Sequence, residues 1–134
     1  MSSHYARRQA GLLLLGLMLV LGACGHHRPD SDDINIYPAS YKADILAAVH
    51  AYLNDPTGIR DAAISEPMEK SVALRQRYMV CVRFNAKQNN AYAGAKELAA
   101  VFLAGHFDQF VEKTGDLCAG VAYAPFPELE KLPR

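Results

Sequence analysis

The chain has 134 residues, 51% of them hydrophobic, and its 14 Lys plus Arg balance its 14 Asp plus Glu. That length allows one domain with a modest core. Charge neutrality leaves neither the basic footprint of a nucleic-acid binder nor a polyacidic tail, so no nucleic-acid partner is expected.

The first elements form a signal. Arg7 and Arg8 precede an unbroken apolar run over residues 11–21 (GLLLLGLMLVL), and small residues follow. A bilayer span needs about 20 apolar residues, so this run predicts a cleavable secretory signal instead of a transmembrane helix. Ala10 and Gly11 stand where the twin-arginine route uses bulky apolar residues, which points to unfolded export. The run closes on Leu21-Gly22-Ala23-Cys24, which resembles the lipobox of bacterial lipoproteins. The resemblance implies removal of residues 1–23 and lipidation of Cys24, with a thioether-linked diacylglycerol and an amide-linked acyl chain of the palmitate kind. Two or more chains hold a protein stably at a membrane. In the same family an aspartate after the cysteine retains the protein at the inner membrane. Gly25 stands there instead, implying the outer membrane, facing the periplasm, with the inner membrane as the alternative. The mature chain then carries 12 basic against 14 acidic residues, since only Arg7 and Arg8 are lost.

Residues 24–39 are polar, with Pro29, Pro38 and the acidic cluster Asp30, Asp32 and Asp33. They read as a lipidated flexible tether. His26-His27 has no further ligand at a fixed spacing and reads as linker, so neither a metal nor a cofactor is predicted. The folded domain is expected over residues 40–134.

Ser40 suits a helix N-cap. Ile45, Leu46, Val49, Tyr52 and Leu53 then form one apolar stripe, predicting an amphipathic helix over residues 41–54. Pro56 biases Asp55 away from helical geometry and stops it. Residues 59–66 suggest a short strand, limited by Pro67. Residues 75–87 predict a longer one: Tyr78, Val80, Val82 and Phe84 make an apolar face, and Arg75, Arg77, Arg83 and Lys87 lie around Met79 and Cys81 on a wetter one. Residues 88–94 are rich in turn formers.

Residues 97–113 read as a hairpin, with strands 98–104 and 107–113 around Gly105-His106; the propensity of Lys96-Glu97-Leu98-Ala99-Ala100 keeps a helix open. Phe107 and Phe110 have opposite parity, so a bulge or a two-sided strand is needed there. Thr114-Gly115-Asp116 turns the chain. Pro125, Pro127 and Pro133 exclude a long C-terminal helix, and Phe126 is expected to fill a gap from an extended segment. The fold class expected is α+β, an N-terminal helix packed on a three- to four-stranded antiparallel sheet.

Beyond Cys24 the cysteines are Cys81 and Cys118. In an oxidising compartment one bridge is the simplest account; two buried thiols or a reactive cysteine are the competing readings. Cys81 with His50 or His106 lacks a third residue to orient the base. The carboxylate pairs Glu66/Glu69 and Glu128/Glu130 read as solvated charges, so no enzyme is predicted. The candidate binding residues are Arg75, Arg77, Arg83 and Lys87 along one strand face, with Tyr92 beside them, suited to an acidic partner or a carboxylate- or phosphate-bearing glycan. These cations otherwise pair with Asp108, Glu112 and Asp116 or cover apolar surface with their stems.

Asn54-Asp55-Pro56-Thr57 and Pro125-Phe126-Pro127-Glu128 are similar to an uncharacterised family of small bacterial lipoproteins, over most of residues 40–131. That likeness brings no known activity. The order of elements also resembles small accessory lipoproteins of the outer-membrane assembly machinery, at fold level only. The expected function is a non-catalytic envelope binding or assembly module, with an envelope protein or glycan as partner. The alternative is a periplasmic inhibitor or a small-molecule or glycan binder.

Overall fold

The computed structural model describes residues 35–134, so the signal, the lipobox, Cys24 and residues 24–34 lie outside the described residues. The helix α1 spans Tyr41–Tyr52 and ends where Leu53 turns extended, its N–H still donating to Val49 O at 3.0 Å. Ser40 precedes it, but its hydroxyl faces the Asp44 carboxylate at 3.3 Å and caps no backbone N–H. Tyr41, Ile45 and Val49 are the buried stripe.

Six strands follow: β1 Arg60–Ile64, β2 Met68–Val72, β3 Arg75–Gln88, β4 Ala91–Leu103, β5 His106–Val111 and β6 Ala124–Pro125, with one helical turn, α2, at Pro127–Glu130. They form one antiparallel sheet in the order β5-β4-β3-β1-β6, with β2 also paired to β3. The α+β expectation, an N-terminal helix on three or four strands, is therefore overturned. Among the described residues strand outweighs helix, the sheet has six strands, and the one helix longer than a single turn starts at Tyr41. The physical reason is that β3 and β4 run far past their apolar centres, carrying polar residues into the ladder. Two strands with no apolar run of their own also enter the sheet, β2 on β3 and β6 on β1.

Two-residue turns link the long strands. Ala73-Leu74, Asn89-Asn90 and Ala104-Gly105 all have positive φ at both positions. That geometry matches the twist of flanking antiparallel strands. The region 97–113 is thus a hairpin, its turn one residue earlier than Gly105-His106. The parity conflict of Phe107 and Phe110 is met as required: Val101 pairs with Gln109 and Phe102 with Phe107, leaving Asp108 as an extra residue.

β1 and β2 lie end to end along the same edge of β3, separated by Ser65-Glu66-Pro67. Ser65 bridges the break. Its N–H donates to Cys81 O at 2.9 Å, and its Oγ accepts the Cys81 N–H at 2.9 Å. A buried backbone donor is satisfied where Pro67 interrupts the ladder.

The main core lies on one sheet face, where Val80, Val82, Phe84, Leu98, Ala100 and Phe102 meet α1, Phe126 and Leu129. Phe126 fills its gap at 1% exposure. The opposite face is not simply wet. Met79, Cys81, Ala99 and Cys118 form a second cluster, packed against Leu117, Val121 and Tyr123, and Cys81 is disulfide-bonded to Cys118. The bridge holds the segment after the 3-10 turn Gly115–Leu117 against the sheet.

The tether boundary at 39 also needs correction. Asn35 donates to Glu69 Oε1 and accepts the Tyr78 N–H, both at 3.1 Å. Tyr37 meets Tyr78 edge-on at 5.4 Å, and Pro38 is buried. Residues 35–38 belong to the domain because they satisfy a strand donor and cover an aromatic ring.

Candidate functional site

The five candidate binding residues do not form one row. The disulfide cluster divides β3, and they fall at three places along it. A strand of 14 residues spans roughly 45 Å, so Arg75 and Lys87 are far apart.

Lys87 and Tyr92 meet at one end of the sheet. There β4 carries an extra residue, since Asn85 pairs with Ala95 and Lys87 with Tyr92. Gly94 takes φ +98 in the bulge and donates its N–H to Asn85 Oδ1 at 3.1 Å. The bulge sets Tyr92 opposite Lys87. The Tyr92 hydroxyl donates to Gly58 O at 2.8 Å, the Arg60 guanidinium carbon lies 3.4 Å from the ring centroid and Lys87 Nζ lies 5.7 Å from it. Gly58 is needed for this closeness, since its φ is +68 and a Cβ there would stand 3.2 Å from Lys87 Nζ. Arg60 already stacks on the ring, so Tyr92 organises two cations.

Arg83 sits at mid-strand with a different task. Its guanidinium carbon lies 4.6 Å from the Tyr123 ring centroid. The cross-strand neighbour of Arg83, Glu97, accepts the hydroxyls of Tyr123 and Thr114, each at 2.7 Å. Burial, with the Glu97 carboxylate holding its proton, pushes the Tyr123 hydroxyl well above the usual tyrosine range. This group fastens the segment carrying Cys118.

Arg75 and Arg77 lie at the other end, beside the β2–β3 turn. Arg77 stands directly opposite Lys70 and donates to Gln76 O at 3.4 Å. Glu112 pairs with Lys96 at 3.4 Å and accepts the Tyr52 hydroxyl, which itself accepts from Lys96. Those contacts hold Glu112 below the usual carboxylate range, the Tyr52 hydroxyl first and Lys96 second.

Beside the Lys87 end, a cleft of about 460 Å³ opens between the end of α1 and the β3–β4 turn. Asn54, Asp55, Lys87, Asn89, Asn90 and Lys96 supply its polar groups, and Phe84 and Ala86 are among its apolar lining. Asp55 is held ionised by the Thr57 hydroxyl and N–H, at 2.6 and 3.0 Å. The cleft therefore offers side-chain amides and the Lys87 ammonium to a polar ligand, while Lys96 is held by Glu112 and Tyr52 and Asp55 by Thr57 and Arg134.

For chemistry, the sulfur of Cys81 is joined to Cys118, and His50 and His106 are both exposed. Among the described residues no three of His, Cys, Asp and Glu gather as metal ligands, and no helix is long and apolar enough to cross a membrane. Arg60 and Lys96 were not legible as site residues. Arg60 reaches Tyr92 through a strand irregularity beside Asp61, whose φ is 54, and no local motif announces it. Comparison with known proteins finds no matching family model, no matching curated protein and no matching solved structure.

Proposed function

We propose that the chain is a bacterial envelope lipoprotein: residues 1–23 are removed, Cys24 is lipidated, and the domain works at the outer membrane, facing the periplasm, as a non-catalytic binding or assembly module. The apolar run and Leu21-Gly22-Ala23-Cys24 support the anchor. The Cys81–Cys118 bridge fits an oxidising compartment. The observation that carries the binding role is the cleft at the Lys87 end, where amides and cations surround a small apolar floor. Polar groups converging in a concavity are what fixes the orientation of a bound ligand. It suits a carboxylate-bearing segment of an envelope protein.

A periplasmic glycan or small-molecule binder is the second reading, favoured by the density of side-chain amides from Asn54, Gln88, Asn89 and Asn90. Native purification from membranes separates the two. A stoichiometric envelope protein that is lost in Lys87→Glu supports the first. Absence of such a protein, together with saturable binding of a muropeptide that Lys87→Glu abolishes, supports the second. A bare sulfur at Cys24, or residues 1–23 still present on the mature product, refutes the anchor.

A further inference from the structure

Cations near the cleft have acceptors: Lys96 is paired with Glu112 and Arg134 with Asp55, while Arg83 stands across from Glu97. Arg60 and Lys87 differ. Among the described residues neither makes an ion pair, yet both are held against the Tyr92 ring, the guanidinium carbon 3.4 Å and the ammonium nitrogen 5.7 Å from its centroid. The three side chains share the sheet face away from α1. Val80, Val82 and Phe84 point into the core, so Asn85 and Lys87 belong to the other face. Arg60 and Tyr92 join them there as the direct cross-strand partners of Asn85 and Lys87.

The backbone is shaped to hold this cluster. Gly94, in the β4 bulge, brings Tyr92 opposite Lys87, and the Tyr92 hydroxyl is fixed on Gly58 O at 2.8 Å. Gly58 lacks the Cβ that would stand 3.2 Å from Lys87 Nζ and 3.5 Å from that hydroxyl. Two like charges held beside one ring repel each other, so a bound anion would relieve the site. At 3.4 Å the guanidinium has room only to lie flat on the ring. Its N–H groups then point outward in its own plane, the fork that a planar carboxylate accepts with both oxygens.

The neighbouring acids decide the charge of the ligand. Glu97 accepts the Tyr123 and Thr114 hydroxyls, and Asp55 is held by Thr57 and Arg134. Asp116 is exposed on the segment covering mid-sheet. Glu128 and Glu130 belong to α2, whose Leu129 packs on the core face, and Glu130 accepts the Ala62 N–H at 2.9 Å. Asp61 directly follows Arg60, is exposed, and pairs with neither cation. Two cations against that one acid leave a single positive charge, which matches a carboxylate and not a phosphate dianion.

We propose that Arg60, Lys87 and Tyr92 form the seat of a carboxylate on an extended acidic peptide, the Arg60 fork taking both oxygens and the Lys87 ammonium adding a further contact. The inference rests on the reading of the partner as a carboxylate-bearing protein segment and names the groups that grip it. Lys87 also lines the cleft, so the peptide runs on from the seat into that concavity.

The probe is acetyl-Gly-Glu-Gly amide, titrated into isotope-labelled protein expressed from the full chain and read by backbone amide shifts. The neutral acetyl-Gly-Gln-Gly amide and inorganic phosphate are titrated in parallel. Saturable shifts at Gly58, Arg60, Lys87 and Tyr92 are expected with the acidic peptide and not with the neutral one. Arg60→Gln and Lys87→Gln should each raise the Kd at least about fivefold. Arg60→Lys keeps the charge without the fork and should recover only part of that loss. Asp61→Asn should lower the Kd by about twofold, and Lys113→Gln, an exposed cation beyond β5, should leave it unchanged. Circular dichroism matching the parent protein establishes that each variant is folded. Parent-like binding by Arg60→Gln, with Lys87→Gln weakened, overturns the inference and leaves the carboxylate in the cleft. Shifts confined to Asn89 and Asn90 do the same. Tighter binding of phosphate than of the acidic peptide overturns it in favour of a phosphorylated ligand. No saturable shift with the acidic peptide overturns the inference together with the protein-segment reading.

Discussion

Replacing Cys81 and Cys118 together by alanine tests the most consequential covalent contact in the domain. The bridge closes a 37-residue separation. In the chain-entropy argument, about −2.1 − 1.5R ln n gives roughly 13 cal/mol/K, or about 4 kcal/mol at 25 °C. Both sulfurs are buried, Cys81 at 0% and Cys118 at 4% exposure, so the space they leave adds about 1 kcal/mol. A domain of this size has about 5–15 kcal/mol in all, so the variant should stand close to its folding limit. Urea unfolding followed by circular dichroism measures it. With a slope of about 1–2 kcal/mol/M the midpoint should fall by roughly 2.5–5 M. Hydrogen exchange gives a local reading of the same change. The Leu117 and Val121 amides, bonded to Thr114 O and Cys118 O, should lose protection first, because the segment holding them no longer has its staple. A loss below about 1 kcal/mol, with both amides still protected, would refute the reasoning.

Other positions give sharper local tests. Ser65→Ala removes the acceptor of the Cys81 N–H and should cost about 1–3 kcal/mol in urea unfolding, the penalty of an unpaired buried donor. Ile45→Ala, on the buried face of α1 at 0% exposure, should lose about 2–5 kcal/mol. In the same assay His50→Ala, exposed on that helix, should stay within about 0.5 kcal/mol. Burial, followed by the Glu66 carboxylate that accepts its hydroxyl at 3.0 Å, pushes Tyr41 up to about 12. In the unfolded chain that hydroxyl ionises near about 10. Its stabilisation is therefore complete below about pH 10 and is lost as pH rises through the folded value. Tyr41→Phe should make the loss of stability shallower across that window, and an unchanged alkaline profile would count against the assignment.

The elements legible in the sequence were those whose apolar residues carry a clear period. The stripe of Ile45 and Val49 located α1, and the alternation of Tyr78 to Phe84 located β3 and its core face. The parity of Phe107 and Phe110 marks the irregularity that the β4–β5 register carries. What stayed hidden depends on contacts distant in the chain. β2 reads Met-Glu-Lys-Ser-Val, and its turn, Ala73-Leu74, has none of the asparagine or glycine that usually marks such a bend. The first half of β4 carries Lys96-Glu97, good helix formers, and is extended because β3 pairs with it as far as Ala91. Missing those pieces gave too few strands and hence the wrong fold class. The candidate site suffered similarly. Period two placed four cations on one face, but it could not show that Cys118 returns to cover the middle of that face, nor that Arg60 arrives from β1 to stack on Tyr92.

The open rims of this sheet are each spoiled for pairing between molecules. Along β5 the extra residue Asp108 breaks the even spacing of outward donors and acceptors. The rim at β6 is two residues long and ends in Pro125, which has no N–H to offer. The free side of β2 begins just after Pro67 and carries Glu69 and Lys70. Crowded copies would thus meet without zipping into shared ribbons, and a domain built around one broad sheet can be held at high local density without templating its own aggregation.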